Sequence, residues 1–490
     1  MRVAAAALVV LALAAPPAAR LDAQTTAAPS LTADLDRIFD APIFARALVG
    51  VRVESLRTGE VLYERNAGKL VVPASNMKLL TLAAAADRLG WDHRFETRLE
   101  ALGPITDGVL DGDLIVTGTG DPTIAAQDRQ APALFAEWAA ALRAAGIRRI
   151  TGRLIGDDNA FDDEGLGAGW AWDYLTAGYA APSGALSYNE NVVAVRVRPG
   201  AKEGEPAAIA LLPPGATFEI VNDVRTAAAD VNGSVQVDRM PGGRTLTIRG
   251  RVPAGGRVVS RTTTIDNPTR FFVEALRLAL REHGIPVSRG ACDIDDLTDA
   301  PPVEGRRLIA RRESLPLSAL GGHFLKVSQN FYGEMLLKAI GRAAGGPGSA
   351  ASGRDAVRET LGQWGIERDA FVMYDGSGLS RYDYVTADAI VTLLKHVWHD
   401  ERLRGPFLAA LPIGGHDGTL ASRMKKSTLN RRVQAKTGTI ANMRALSGFL
   451  ETDGGGKLVF SIIANHYTGS TADVDRAAEQ ALERLLSVSR

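Results

Sequence analysis

Residues 186 to 262 read as strand almost without interruption, broken by turn signals at Pro213-Pro-Gly, Asn232-Gly and Gly242-Gly. The pattern on either side is helix-bearing, so this stretch is a candidate small β module within a larger chain. At 490 residues the chain also exceeds what one core ordinarily needs, and two or three domains are expected. Texture changes first near Arg94, where short strands and Gly/Asp turns begin (Leu110-Asp-Gly-Asp-Leu-Ile-Val-Thr-Gly), and helical pattern returns after about Glu304.

The flanking segments have recognisable parts. A short helix is expected over Leu31 to Phe39, and Leu48 to Ser55 with Gly59 to Glu64 forms a hairpin across Leu56-Arg57-Thr58. Asn76 to Leu89, rich in Leu and Ala and followed by Gly90, reads as a buried helix with a glycine stop. Helices are also expected over Ala131 to Ala145, Phe271 to Glu282 (introduced by Asn267-Pro268), Leu325 to Ile340 and Ala387 to His396. Ala343 to Gly353 reads as a loop, and the chain closes with strands Ala445 to Glu451 and Lys457 to Ala464 and a helix from Ala472 to Leu485.

Lys plus Arg equals Asp plus Glu at 56 each, so no global field attracts nucleic acid or an anionic membrane. Arg2, the apolar run Val3 to Ala15, a Pro-Pro break and small residues make 1–24 an expected export signal, with Ala23 a candidate last residue before cleavage. The run is too short for a comfortable span, so the mature chain is expected in the periplasm without integral membrane contact. Cys292 is the single cysteine and sits among acids that disfavour a thiolate; it reads as structural or incidental.

The chemistry concentrates in three short motifs. Ser75-Asn76-Met77-Lys78 is an S-x-x-K at a helix start, where a three-residue offset puts both side chains on one face. A serine needs a base, and a lysine can serve once desolvation or a neighbouring cation makes it neutral. The second motif is Ser328-Gln329-Asn330, and the third is Lys436-Thr437-Gly438 with Thr439 behind it. Together they suit acyl transfer by a serine nucleophile, with a strand that pairs with a peptide and holds a terminal carboxylate. Decoys exist at Ser422-Arg-Met-Lys425 and Ser187-Tyr-Asn189. Ser187-Tyr-Asn189 precedes a β-like run, Val192 to Val197, whereas Ser328 lies in a helix-rich region beside Lys326, and no S-x-N lies between Ser422 and Lys436. Order and local pattern together favour Ser75, Ser328 and Lys436.

With these motifs in place the chain resembles the class C low-molecular-mass penicillin-binding proteins, the D-alanyl-D-alanine carboxypeptidase/endopeptidase family. Pro73-Ala-Ser-Asn-Met-Lys-Leu-Leu-Thr81, Gly112-Asp-Leu-Ile-Val, Gly120-Asp-Pro-Thr123, Asp375-Gly-Ser-Gly-Leu-Ser380, Gly415-His-Asp-Gly-Thr-Leu420 and Ala435-Lys-Thr-Gly-Thr439 carry the likeness along nearly the whole mature chain. It implies an α/β (α+β) fold in which a transpeptidase/β-lactamase-like core is split by two inserted, largely β domains. Lys78 and Ser328 stand 250 positions apart, which agrees. The split would run 25–93 and 304–490 for the catalytic part, 94–185 and 263–303 for one insert, and 186–262 for the other.

The resemblance also implies roles. Ser75 would be the acylated nucleophile and Lys78 its base, with Ser328 and Asn330 as the second motif. Lys436, Thr437, Gly438 and Thr439 would form the carboxylate-binding strand, and the N–H groups of Ser75 and Thr439 the oxyanion hole. Ser-Gln-Asn departs from the commoner Ser-Asp-Asn. Arg381 sits where the family places an arginine that reads the side chain of diaminopimelate-type peptides. In Trp170-Ala-Trp-Asp173-Tyr174 the accompanying acid is either Asp173 or has been lost.

His396 and His399 lack a third ligand in view, and His416 fits a turn, so no metal and no cofactor is expected. The basic stretch Arg423 to Lys436 reads as a solvated face or as a bias toward anionic peptides. The function expected from the whole is a serine D-Ala-D-Ala carboxypeptidase, with D,D-endopeptidase activity as a further expectation. Its partners would be peptidoglycan stem peptides and β-lactams, and not nucleic acid. A β-lactamase or esterase of the same fold, and a non-catalytic cell-wall binding protein, stand as alternatives.

Overall fold

The structure is a computed structural model and describes residues 30–126 and 130–488; the export-signal reading lies outside them. The two ends of the chain meet in one five-stranded antiparallel sheet, ordered Val433–Ile440, Met443–Glu451, Lys457–Asn465, Leu48–Ser55, Val61–Arg65. Both faces are covered, so its strands are apolar on both sides; Leu458 to Asn465 are all buried. The helices Leu31–Phe39 and Thr471–Leu485 cover one face through Leu35, Phe39 and Leu482 against Val51 and Phe460.

On the other face lies a helical layer built round Met77–Leu89. Residues 77 to 86 of that helix are all buried, which is why its sequence is apolar or small on every side rather than amphipathic. Its alanines let Asn330–Ala343, Ala350–Gln363 and Leu317–Lys326 pack closely round it. Gly90, at φ 80°, ends the helix as expected.

Two insertions interrupt this frame between Leu89 and Leu317. The first is a five-stranded mixed sheet, ordered Ala291–Asp293, Leu154–Asp157, Asp113–Gly118, Glu96–Leu102, Arg307–Glu313, covered by the helices Gln130–Ala144 and Pro268–Glu282. Its last strand lies beyond Glu304, and helix resumes only at Leu317. The second is a pair of three-stranded sheets, Ala208–Leu212, Val192–Arg198, Val259–Thr264 and Glu219–Ala227, Thr245–Pro253, Ser234–Asp238. These enclose a small core of Val195, Val197, Val224, Leu246 and Ile248. Val193, Val195 and Val197 alternate inward, the period-two pattern visible in the sequence.

Two local expectations fail. The helix expected over Leu325 to Ile340 is two helices, Leu317–Lys326 and Asn330–Ala343, because Ser328 takes a left-handed φ of 62° and Gln329 caps the second helix. Apolar periodicity runs across the break and hides it. The loop expected over Ala343 to Gly353 is shorter, because Ser349 accepts from the Ser352 N–H and starts the helix Ala350–Gln363.

Leu82 is fully buried at the centre of the helical layer. Leu82→Ala is expected to destabilise the fold by about 2–5 kcal/mol, read as a lowered denaturation midpoint. An unchanged midpoint would show that the layer does not depend on this helix.

Candidate active site

Ser75 lies in the single helical turn Ala74–Asn76 that leads into Met77–Leu89. The turn is held down from the sheet, where Asn76 Nδ2 donates to Ser447 Oγ (2.7 Å). One turn along, Lys78 is fully buried, and its Nζ donates to Ser75 Oγ (2.9 Å), Asn330 Oδ1 (2.7 Å) and the Ser377 carbonyl (2.6 Å). Burial pushes this ammonium down to about 7; the negative charges of Asp375, Glu334 and Asp383 oppose that shift without cancelling it. Lys78 is therefore a base at neutral pH within hydrogen-bond reach of a hydroxyl.

The second motif and the third meet opposite Ser75. Lys436 Nζ donates to Ser328 Oγ (2.8 Å) and to the Thr437 carbonyl (2.7 Å). Lys436 is also fully buried, and burial, aided by Lys78 and Arg444, holds its ammonium well below the usual lysine range. Thr437 Oγ1 donates to Thr419 Oγ1 (2.8 Å), and Thr439, exposed, receives Arg444 Nη1 across the strand pair. Gly438 answers a close approach, since a Cβ there would lie 2.5 Å from the Pro73 carbonyl oxygen just ahead of Ser75. Val433–Ile440 is the sheet's edge strand, covered by Pro412 and Ile413 only toward its start. Its Thr437 end can accept an added peptide strand.

The structure thus brings Ser75, Lys78, Ser328, Asn330, Lys436, Thr437, Gly438 and Thr439 together. Arg381 Nη2 donates to the Tyr174 hydroxyl (3.0 Å), whereas Asp173 is exposed in the turn Trp172–Tyr174. Tyr174, not Asp173, is the residue of that turn that meets Arg381. The decoys lie elsewhere: Ser422 and Lys425 are exposed, and Ser187 Oγ donates to the Gly184 carbonyl in a buried turn. His396 stacks on Trp364 with ring centroids 4.2 Å apart. Among the described residues, Asp158, Asp293 and Asp295 bring oxygens within 4.8 Å of one another and could share a metal; they belong to the inserted sheet and its edge, not to the lysine network.

Several contributors lie outside the three catalytic motifs. Asp375 accepts from the N–H groups of Ser377 (3.2 Å), Gly378 (2.6 Å) and Ser380 (2.7 Å) and from Trp170 Nε1 (2.8 Å). It folds the loop whose Ser377 carbonyl receives Lys78. An aspartate opening Asp-Gly-Ser-Gly-Leu-Ser is a visible signal for such a turn. Glu334 and Asp383 lie beside it, both raised above the usual carboxylate range, first by burial and then by the Asp375 charge. Asn330, which accepts from Lys78 through Oδ1, donates Nδ2 to the Tyr179 carbonyl (2.8 Å), a backbone contact that no sequence pattern announces.

Comparison with known proteins gives the family. The family model "D-Ala-D-Ala carboxypeptidase 3 (S13) family" matches residues 31–488. A D-alanyl-D-alanine carboxypeptidase of Actinomadura sp. is 36% identical over 464 residues, covering 91% of this chain and 83% of that one. The D-alanyl-D-alanine carboxypeptidase DacB of Haemophilus influenzae is 28% identical over 437 residues, 88% of each chain. The crystal structure of penicillin binding protein 4 from H. influenzae superposes with a TM-score of 0.80 at 26% identity, covering 93% of this chain and 99% of that one. The chain belongs to the D-Ala-D-Ala carboxypeptidase 3 (S13) family. It is a serine-type D-Ala-D-Ala carboxypeptidase with the penicillin-binding fold that the motifs led us to expect.

A base with its ammonium near 7 predicts the pH response of acylation. Lys78 loses its proton as pH rises, so the benzylpenicillin acylation rate should climb about tenfold per unit below 7 and level off above it. A rate flat from pH 5 to 7 (an assay range of about two units) would remove Lys78 as the base.

Proposed function

We propose that this enzyme cleaves D-Ala-D-Ala ends through an acyl-enzyme on Ser75. The observation that carries the reading is the buried Lys78 amine, 2.9 Å from Ser75 Oγ and depressed to about 7. Ser75 Oγ attacks the carbonyl of the penultimate D-Ala while its proton passes to Lys78. The tetrahedral oxyanion is held by the N–H groups of Ser75 and Thr439. Collapse breaks the peptide bond, and the leaving D-Ala nitrogen takes a proton through Ser328, which Lys436 contacts. A water molecule then attacks the ester, returning a proton to the Ser75 oxygen and releasing the shortened peptide as its carboxylate.

In this reading Asn330 fixes Lys78 on one side and the substrate amide on the other, while Thr437, Gly438 and Thr439 bind the substrate strand and its carboxylate. Arg381, with Tyr174 beside it and Asp173 at the rim, is placed to meet the side chain of the third peptide residue. A cross-linked peptide would enter the same cleft, which gives D,D-endopeptidase activity as well. Acting on cell-wall peptides places the chain outside the cytoplasm, consistent with residues 1–24 as an export signal. Among the described residues no helix is long and apolar enough to cross a membrane.

Intact mass with and without benzylpenicillin, followed by peptide mapping, tests the assignment. One drug mass should be added, on the peptide that carries Ser75, and Ser75→Ala should add none. An adduct on Ser75→Ala sinks the reading, and free enzyme with rapid drug turnover would instead mark a β-lactamase. Lys78→Ala should slow acylation by about a thousandfold or more, in the range of removing a general base, with the fold retained by circular dichroism. Arg381→Ala should raise KM for a peptide with a charged third side chain about tenfold and leave an uncharged one within about twofold.

A further inference from the structure

The inserted segment grips the second motif at two consecutive residues. Tyr179 takes the amide of Asn330, and Glu190 takes that of Gln329, whose Nε2 donates to Glu190 Oε2 at 2.6 Å. The other Glu190 oxygen lies 3.5 Å from His323 Nε2. Gln329 is a bridge, because its Oε1 accepts from the Phe331 N–H (3.4 Å) at the start of Asn330–Ala343. Between these contacts and Lys436 stands Ser328, left-handed at φ 62°.

Glu190 is delivered by an unusual backbone. Asn189, Glu190 and Asn191 are three consecutive non-glycine residues in the left-handed region, at φ 54°, 52° and 56°. Such a run persists only where its surroundings over-determine it. Here the two asparagines are spent on the loop itself. Asn189 Nδ2 donates to the Val192 carbonyl (2.8 Å), and its Oδ1 accepts from the Ala126 N–H (3.1 Å). Asn191 Nδ2 donates to the Pro182 carbonyl (2.8 Å) and Ser187 Oγ (3.0 Å), and its Oδ1 accepts from the Tyr188 N–H (3.2 Å). The Glu190 side chain is what this loop presents to the motif.

We infer that Glu190 is a positioning residue for the reaction, acting through Gln329 to hold the turn at Ser328, and that this acid is why the motif reads Ser-Gln-Asn in this chain. A carboxylate at 329 would face the Glu190 carboxylate at hydrogen-bond distance, whereas an amide donates to it. The inference rests on the roles proposed above for Ser75 and Ser328.

Exchange of the two groups tests it. The benzylpenicillin acylation rate, and kcat and KM for D-Ala release, would be measured for Glu190→Ala, Gln329→Glu and the double variant Glu190→Gln/Gln329→Glu. Each single variant should lower acylation and kcat about tenfold with KM within about twofold, as expected of a small displacement of a catalytic group. The double variant restores one amide opposite one carboxylate and should return to within about threefold of the parent. A double variant as slow as Gln329→Glu overturns the inference, as does a folded Glu190→Ala at parental rates. If Glu190→Ala fails to fold, the exchange pair alone decides. Peptide mapping of the adduct in the parent separates the two failures: a label away from Ser75 sinks the mechanism itself, while a label on Ser75 with unrescued rates sinks only the role of Glu190.

Discussion

An amine without water is the constraint on which this active site is built. Lys78 is fully buried, and each of the three oxygens that accept from it is formally neutral: a hydroxyl, an amide and a backbone carbonyl. Neutral acceptors solvate an ammonium only in part, so the charged form is disfavoured and the amine becomes a base. The carboxylates of Asp375, Glu334 and Asp383 lie behind it and keep the shift from running further. Two of the three oxygens come from residues 252 and 299 positions away in the chain. The frame of sheet and helices therefore has a stringent task, which is to bring distant polar groups onto one nitrogen while keeping water away.

The insertions share in that task. Trp170 reaches from the inserted region to Asp375 and so to the loop that offers Ser377, and Tyr179 orients the Asn330 amide. Farther from the chemistry, Lys338 is 2% exposed and pairs with the Asp162 carboxylate at 2.6 Å while donating to its carbonyl at 3.0 Å. Removing Asp162 would leave the buried Lys338 ammonium uncompensated in the interior, so this contact fixes the insert against the helical layer more firmly than a surface pair could. The core agrees: Phe161 and Ala181 of the insert pack into the same apolar cluster as Leu82 and Leu337. The insert is part of the cleft wall, not an ornament on it.

Much of this could be read beforehand. The S-x-x-K, S-x-N and K-T-G motifs are local strings of polar groups; their order set aside the decoy at Ser422, and the β-like run after Ser187 set aside the other. Alternating valines marked the β module, and Gly90 marked the end of the buried helix. What escaped has a common cause, contact between segments far apart. The break at Ser328 is invisible to apolar periodicity because Leu325 and Phe331 are buried on both sides of it. The Tyr179 contribution is a carbonyl, which every residue owns. Tyr174 meets Arg381 because the geometry of a three-residue turn decides which side chain of Trp-Asp-Tyr faces it, and composition cannot resolve that choice. Gln329 looked like a departure from pattern until its partner, Glu190, was seen across 139 positions.

The two buried lysines also explain one another. Positive charge on either raises the cost of charge on the other, and Arg444 adds to that cost at Lys436. Arg444 is itself held by Asp475, with Nε and Nη2 at 2.7 and 2.6 Å from its two carboxylate oxygens, so its position is fixed and its field partly offset. An anion arriving beside Thr437 and Thr439 reverses the balance, since a nearby negative charge favours protonated Lys436. Lys78 feels the same anion less, because its nearest oxygens belong to Ser75, Asn330 and Ser377 and not to the strand that carries Thr437 and Thr439. In the proposed mechanism a substrate ending in a carboxylate would therefore separate two amines that burial had made alike, one kept as the base toward Ser75 and the other turned toward an acid in contact with Ser328. That proposed division of labour follows from position: Lys436 belongs to the hydroxyl-lined edge strand, and Lys78 to the helix behind Ser75.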